Sequence, residues 1–386
     1  MSALDTGRAS PASAITAAKR VVIKVGSAQL VHPDGSGPRA DTFAAIAADI
    51  AALRGDDRLV GVVSSGAVAI GRPRLGFKPG ERLSLDQKQA CAAAGQARLI
   101  QLWDSALGAH GLTAAQALLS PSDTEQRGRW LNARNTVATL LALGAVPVIN
   151  ENDTVATEEL RFGDNDRLAA RAAQLMGADL LIILSDVDGL YDRDPAQPGA
   201  AHIPYVEAVT PAISALAGPA RAGAGTGGMA TKIEAARLAA AAGCATLITR
   251  GGPARPVQAL VSGARATLVS ASGSPDTARR SWITGSKAAG ALHLDPGAVK
   301  AVLTGKSLLP AGVSKVAGRF SRGETVRLLD PEGVEVARGA AGYDDAEARA
   351  LAGLKTAEIE AALGYRRGAA LVHASDIVLS DQERTS

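Results

Sequence analysis

The sequence predicts an α/β protein: an open, mostly parallel sheet sandwiched by helices, followed by a small β-rich domain. Up to about residue 250, short aliphatic runs of strand length alternate with longer segments of helical periodicity. That alternation implies crossover connections and a sheet covered on both faces. Beyond Gly251 the character shifts: Gly, Ser and Pro dominate 251–285, and strand-and-turn patterns follow. A length of 386 residues, 47% of them hydrophobic, suits two domains.

Met1–Ala18 mixes Asp5, Arg8, Pro11 and several serines without an apolar stretch, which predicts a frayed tail and no signal peptide. Val21–Val25 (VVIKV) is the first expected strand. Asp41–Leu53 puts Phe43, Ile46, Ala47, Ile50 and Leu53 on one helical face, with Asp41 or Thr42 as cap. Leu59–Val63 is the second strand, and Leu85–Leu107 holds one or two long helices. A helix over Asn132–Leu143 leads into a strand at Ala145–Ile149, and a hairpin is expected from Thr154 to Phe162. Helix, strand, helix and strand are then expected at Asp166–Met176, Leu180–Leu184, Met229–Ala242 and Ala245–Thr249. The resulting division is a tail at 1–18, a sheet domain at 19–258, a linker region at 259–288, a β-rich domain at 289–372 and a tail at 373–386. Within the β-rich domain, Val326–Leu329, the turn Asp330–Gly333 and Val334–Ala337 read as strand, turn and strand.

Composition excludes several functions. Lys and Arg number 41 against 38 Asp and Glu, a net charge of +3, which gives neither wholesale disorder nor a strongly basic nucleic-acid binder. Two cysteines, Cys91 and Cys244, exclude a disulfide framework and point to a reducing compartment. No stretch reaches the length of a membrane helix. His32, His110, His202, His293 and His373 are too dispersed to suggest a triad or zinc site, and no G-x-S-x-G elbow occurs.

Ligands of parallel sheets bind beyond the carboxyl ends of the strands, which selects the loops to search. Lys24-Val25-Gly26-Ser27 ends the first strand. Its lysine is either an edge-strand residue reaching solvent or a paired buried cation, since an unpaired buried ammonium is costly. Gly26 permits close backbone approach there. Ser64-Ser65-Gly66-Ala67 leaves room for a small polar ligand, or forms a capped turn. Asn150-Glu-Asn-Asp153 and Gly163-Asp-Asn-Asp166 suit turns, and together could hold an ammonium, a carboxylate or a metal. Neither makes a protein-only magnesium cage, because magnesium keeps waters and is shared with nucleotide phosphates. Ser185-Asp186-Val187-Asp188-Gly189-Leu190-Tyr191 suits a nucleotide-proximal turn. Gly225-Thr-Gly-Gly-Met-Ala-Thr-Lys232 offers backbone N–H groups and a cation to an anion, or is a plain surface loop. Gly223–Gly228 fits G-x-G-x-x-G but follows no strand, and Gly305-Lys306-Ser307 has Lys300 where a P-loop needs glycine.

In this order the motifs resemble the amino-acid-kinase superfamily and, within it, the bacterial glutamate 5-kinase family with its C-terminal PUA domain. The carrying residues are Val22–Ser27, Ser64–Ala67, Leu131–Arg134, Pro147–Asp153, Phe162–Asp166, Asp188–Tyr191 and Gly225–Lys232, with Lys306–Pro310, Phe320–Glu324 and Gly342-Tyr343 in the tail domain. The resemblance spans Lys19 to about Leu371.

The resemblance implies the amino-acid-kinase fold and ATP-dependent phosphorylation of the γ-carboxylate of L-glutamate, the first step of proline synthesis. By motif, Lys24, Lys232 and Asp166 would be catalytic, the lysines on the ATP phosphates and Asp166 organising the lysines or magnesium. Ser65, Asp153 and Asn165 would bind glutamate. Gly26, Ser185, Asp186, Thr226, Gly227, Gly228, Met229, Ala230 and Thr231 would join the lysines at ATP. Ser185 stands where the family is expected to have threonine, and its hydroxyl is retained. Mg2+ would accompany ATP, proline would inhibit, and the enzyme would be a cytoplasmic homo-oligomer, with glutamyl phosphate reductase as a partner. Another amino-acid or carbamate kinase, a proline or glutamate sensor, and RNA binding through Arg319, Arg322, Arg327, Arg366 and Arg367 are the alternatives. A solvated face is the expectation for those arginines.

Overall fold

In a computed structural model the described residues are 9–155, 165–218, 228–252, 254–365 and 368–380. The chain divides into two compact units, Met1–Pro275 and Asp276–Ser386. No helix among the described residues is long and apolar enough to cross a membrane. Both cysteines are free and buried.

The first unit runs α1 (Pro11–Ala17), β1 (Arg20–Val25), α2 (Ser27–Leu30), α3 (Ala40–Gly55), β2 (Leu59–Ser64), α4 (Ala67–Arg74), α5 (Leu85–Gly108), β3 (Ala114–Leu119), α6 (Pro121–Glu125), α7 (Arg127–Ala142) and β4 (Val146–Glu151). It continues through α8 (Asn165–Met176), β5 (Leu180–Ser185), β6 (Leu190–Tyr191), β7 (His202–Ile203), β8 (Tyr205–Val206), α9 (Pro211–Leu216), α10 (Met229–Ala241), β9 (Ala245–Arg250), α11 (Pro256–Val261) and β10 (Ala266–Val269). Among the described residues eight strands form one sheet in the order β3-β4-β2-β1-β5-β9-β10-β8. All neighbours are parallel except β9 and β10, which are antiparallel.

Alternation along β1 decides what each residue faces, because successive side chains point to opposite sides of a strand. Val21, Ile23 and Val25 pack with Phe43, Ile46 and Ile50 of α3 and Leu99 and Trp103 of α5. Val22 joins the opposite layer, with Leu168 and Ala172 of α8 and Ala235 and Ala239 of α10. Lys24 has the parity of Val22. It therefore lies on the side covered by α8 and α10, whose first turns carry Asp166 and Lys232. It is no edge-strand lysine, since β1 is paired on both sides, Lys24 opposite Val63 and Ile183.

Several expected boundaries shift. The expected tail at 1–18 includes α1, whose Ile15, with Ala18 just after the helix, is buried in the sheet core. The expected linker at 259–288 contains the end of α11 and then β10, a sheet strand whose four residues are all buried. Gly and Ser around a short apolar run had the look of a connection, and only pairing with β9 and β8 reveals a strand. The expected hairpin at Thr154–Phe162 lies outside the described residues beyond Val155.

The second unit adds α12 (Pro275–Gly285), β11 (Gly290–Leu294), α13 (Pro296–Leu303), β12 (Val313–Gly318), β13 (Thr325–Leu329), β14 (Glu335–Ala340), α14 (Asp345–Leu351), α15 (Ile359–Leu363) and β15 (Ile377–Leu379). Its five-stranded sheet has the order β12-β11-β13-β14-β15. The expected C-terminal tail at 373–386 thus supplies a strand, β15, paired with β14. Leu292, Val326, Leu328, Tyr343 and Leu351 belong to this unit's own core.

Candidate active site

Two groups of polar side chains gather at the carboxyl edge of the large sheet. In the first, the fully buried Asp166 carboxylate sits between two ammonium groups, with Lys24 Nζ 2.6 Å from Oδ1 and Lys232 Nζ 3.2 Å from Oδ2. Both lysines are 5% exposed. Thr231 Oγ1 lies 2.9 Å from Asp166 Oδ2 and 2.8 Å from the Gly228 carbonyl oxygen. Burial pushes the Asp166 carboxyl up, but the charges of Lys24 and Lys232 outweigh it and lower its pKa to about 2. One carboxylate facing two cations leaves a net positive, nearly dry pocket edge, suited to an anion that brings its own charge.

Three elements set this geometry. Strand β1 presents Lys24 as its penultimate residue, just before the α2 turn. Helix α8 offers Asp166 in its first turn, and α10 offers Thr231 and Lys232 in its own. Gly228 is the extended N-cap residue of α10, followed by Met229 and Ala230; Thr226 and Gly227 lie outside the described residues. A Cβ on Gly26 would meet Lys24 Nζ at 3.8 Å and the Leu184 carbonyl at 3.9 Å, ordinary contacts, so the protein's own packing does not demand glycine there.

The second group is a chain of amides. Asn165 Nδ2 donates to Ser65 Oγ at 2.8 Å and to Asn150 Oδ1 at 3.0 Å, and Asn150 Nδ2 donates to Gln96 Oε1 at 2.8 Å. Ser65 follows β2, where Gly66 takes φ 112°, a left-handed conformation favouring glycine, to start α4. Asn165 and Asp166 are consecutive, so the amide group and the cation group meet at the first turn of α8. Asp153 is in the turn after β4, partly exposed.

Ser185 ends β5 at 5% exposure, and its hydroxyl donates to Asp186 Oδ1 at 3.0 Å. Its carbonyl accepts from Gln29 Nε2 at 3.0 Å, which ties α2 to the end of β5. The structure thus joins Lys24, Lys232 and Asp166, and separately Ser65 and Asn165, while Ser185 bonds to its neighbour Asp186 and to Gln29. Gln96 was not legible from sequence. It lies on α5, 54 residues before its partner Asn150, and one of four glutamines in an alanine-rich helix carries no motif.

Residues 19–250 match the amino acid kinase family, and residues 290–363 match the PUA domain. A glutamate 5-kinase of Caulobacter vibrioides is 54% identical over 371 residues, which cover 95% of this chain and 98% of that protein. The glutamate 5-kinase of Agrobacterium fabrum is 51% identical over 363 residues, covering 94% and 93%. That of Paramagnetospirillum magneticum is 50% identical over 369 residues, covering 95% and 99%.

Proposed function

Because the chain belongs to the amino acid kinase family and, within it, to the glutamate 5-kinases, we infer that it phosphorylates the γ-carboxylate of L-glutamate with ATP, forming L-glutamyl 5-phosphate. The observation that carries this is the buried Lys24–Asp166–Lys232 group beside the Ser65–Asn165–Asn150 amides.

A carboxylate nucleophile has no proton to lose, so the site needs no general base. It must align two anions and neutralise charge spreading over the transferring phosphoryl group. In this assignment Lys24 and Lys232 meet the phosphates, and Asp166 holds both ammonium groups in place between turnovers. Gly26, Gly228, Met229, Ala230 and Thr231 line the phosphate path, Thr226 and Gly227 are assigned to ATP by motif alone, and Ser185 and Asp186 stand nearer the nucleoside. Ser65, Asn165 and Asp153 hold glutamate, the Asp153 carboxylate pairing with its ammonium.

Both Asp166 oxygens face ammonium groups, so its carboxylate is already engaged. Mg2+ is assigned to the nucleotide, where it neutralises phosphate charge. Placement at the first step of proline synthesis, inhibition by proline, a homo-oligomer, a cytoplasmic location and glutamyl phosphate reductase as consumer of the labile product all belong to this proposal.

RNA binding is not favoured. Arg319 lines a cavity of about 330 Å³ with Glu324, Asp344 and Asp345, a wall of mixed charge. Arg366 and Arg367 lie outside the described residues. The deciding experiment is an ATP-dependent assay with hydroxylamine as trap. A hydroxamate formed with L-glutamate, and no corresponding hydroxylamine adduct formed with aspartate or carbamate, is expected, and no glutamyl hydroxamate at saturating substrates and magnesium would refute the assignment.

A further inference from the structure

We propose that Gln96 is a positioning residue that sets the donor and acceptor polarity of the glutamate site through Asn150. This rests on the glutamate-kinase assignment above. Gln96 Oε1 accepts from Asn150 Nδ2, which turns Asn150 Oδ1 toward Asn165. The Asn165 amide then has both hydrogens committed, one to Asn150 Oδ1 and one to Ser65 Oγ. An amide has two donors and one carbonyl oxygen, so Asn165 Oδ1 remains as the acceptor. The Ser65 hydroxyl accepts from Asn165, so its own hydrogen remains as the donor.

One acceptor beside one donor is the complement of an α-amino acid head. Asn165 Oδ1 suits an ammonium, and the Ser65 hydroxyl suits a carboxylate. Run in the opposite sense, with Gln96 donating, the same amides would direct Asn165 hydrogens at the ligand and oppose an ammonium.

Two further observations single out Gln96. Its Nε2 is buried with no hydrogen-bond partner among the described residues, so the amide carries an unmade donor while its oxygen holds Asn150. Its neighbour Gly95 sits against the start of α4: a Cβ there would come within 1.9 Å of the Ala67 carbonyl oxygen. That backbone contact fixes α5 against the turn carrying Ser65, so both ends of the relay are held by one helix pair.

The test compares full-length wild type, Gln96→Leu and Gln96→Glu. Leucine removes the acceptor at similar size; glutamate is isosteric and keeps it. Gln96→Leu is expected to raise the glutamate KM about tenfold to a hundredfold, with the ATP KM and kcat at saturation near wild type. Gln96→Glu is expected to restore most of the glutamate KM, which a residue of purely structural importance would not do. An unchanged glutamate KM in a folded Gln96→Leu overturns the proposal. So does a Gln96→Glu variant with the KM expected of leucine, an outcome that stands even if Gln96→Leu does not fold. Wild-type protein inactive on glutamate would instead overturn the activity assignment, and this inference with it.

Discussion

Lys24 on β1 and Lys232 on α10 share a single carboxylate, Asp166, although 208 positions separate them in the chain. Like charges in a nearly dry site repel, and Asp166 holds them together only by staying ionised, which its pKa of about 2 ensures. The arrangement is two cations poised for a polyanion, with one internal counter-charge.

Lys232→Met should fold and lose most turnover. The side chain is almost wholly buried and its ammonium has Asp166 as partner. A lost transition-state contact of this kind costs about 3–4 kcal/mol, roughly two to three decades in rate. Steady-state kinetics with circular dichroism checks it, and near-normal turnover in a folded variant removes Lys232 from the chemistry.

Asp166→Asn should cost both activity and stability, because it leaves two buried ammonium groups without a counter-charge, a change worth about 3–5 kcal/mol. It should also alter the acid response. Burial raises the Asp166 pKa and the two lysines lower it further, so the folded value of about 2 lies below the ordinary 3.8. The ionised carboxylate therefore contributes stability that is present above the unfolded pKa and lost as pH falls from there through the folded one, an effect on the order of 2 kcal/mol. Acid titrations followed by circular dichroism should show a shallower loss of stability in that window for the variant. Equal slopes would mean that Asp166 is not the ionised centre of the group.

Part of this arrangement is legible in the sequence. A lysine inside VVIKV is legible because burial demands a partner, and strand parity then names the layer where that partner lies. The relay through Gln96 was not, because no local pattern joins α5 to β4. The edge strand β3 is not legible either: Ala114–Leu119 is alanine-rich, half-exposed and poor in β-branched residues, and its pairing with β4 decides its state. Ile15, a lone apolar residue among Ala and Ser, gave no warning that α1 is packed into the core.

Asp153→Asn should weaken glutamate binding more than ATP binding. The residue stands in the turn just beyond β4, next to the strand that carries Asn150, and its carboxylate is assigned to the substrate ammonium. Breaking such a desolvated pair costs about 2–5 kcal/mol. Separate KM values for the two substrates check this. A drop confined to ATP affinity would reassign Asp153 to the nucleotide and its magnesium.

Gly71→Ala should lower stability by about 1–3 kcal/mol, the usual cost of forcing a methyl group into a filled core. A Cβ there would come within 1.8 Å of the Cys91 carbonyl oxygen, so α4 and α5 must separate. Because α4 starts just after Ser65 and α5 carries Gln96, the glutamate KM should rise with the loss of stability. Thermal melts and glutamate titrations test both, and a variant as stable as wild type would show that the two helices yield freely.

A chain ending at Pro275 should fold and still form glutamyl phosphate. Every residue assigned to chemistry, from Lys24 to Lys232, lies in the first unit, and its sheet is complete once β10 and β8 are paired. The cut must not fall earlier. Ser272 N donates to the Ala240 carbonyl at 3.1 Å, and a Cβ on Gly243 would come within 2.1 Å of Ser274, so 271–275 seals the end of α10, the helix that bears Lys232. Helix α12, beginning at Pro275, groups with the second unit, whose separate core includes Leu292, Val326 and Leu328. Units with separate cores often fold alone. The check is hydroxamate formation by the purified truncation at saturating ATP, magnesium and glutamate, alongside a melt. A folded, soluble truncation without activity would show that the second unit completes the catalytic site.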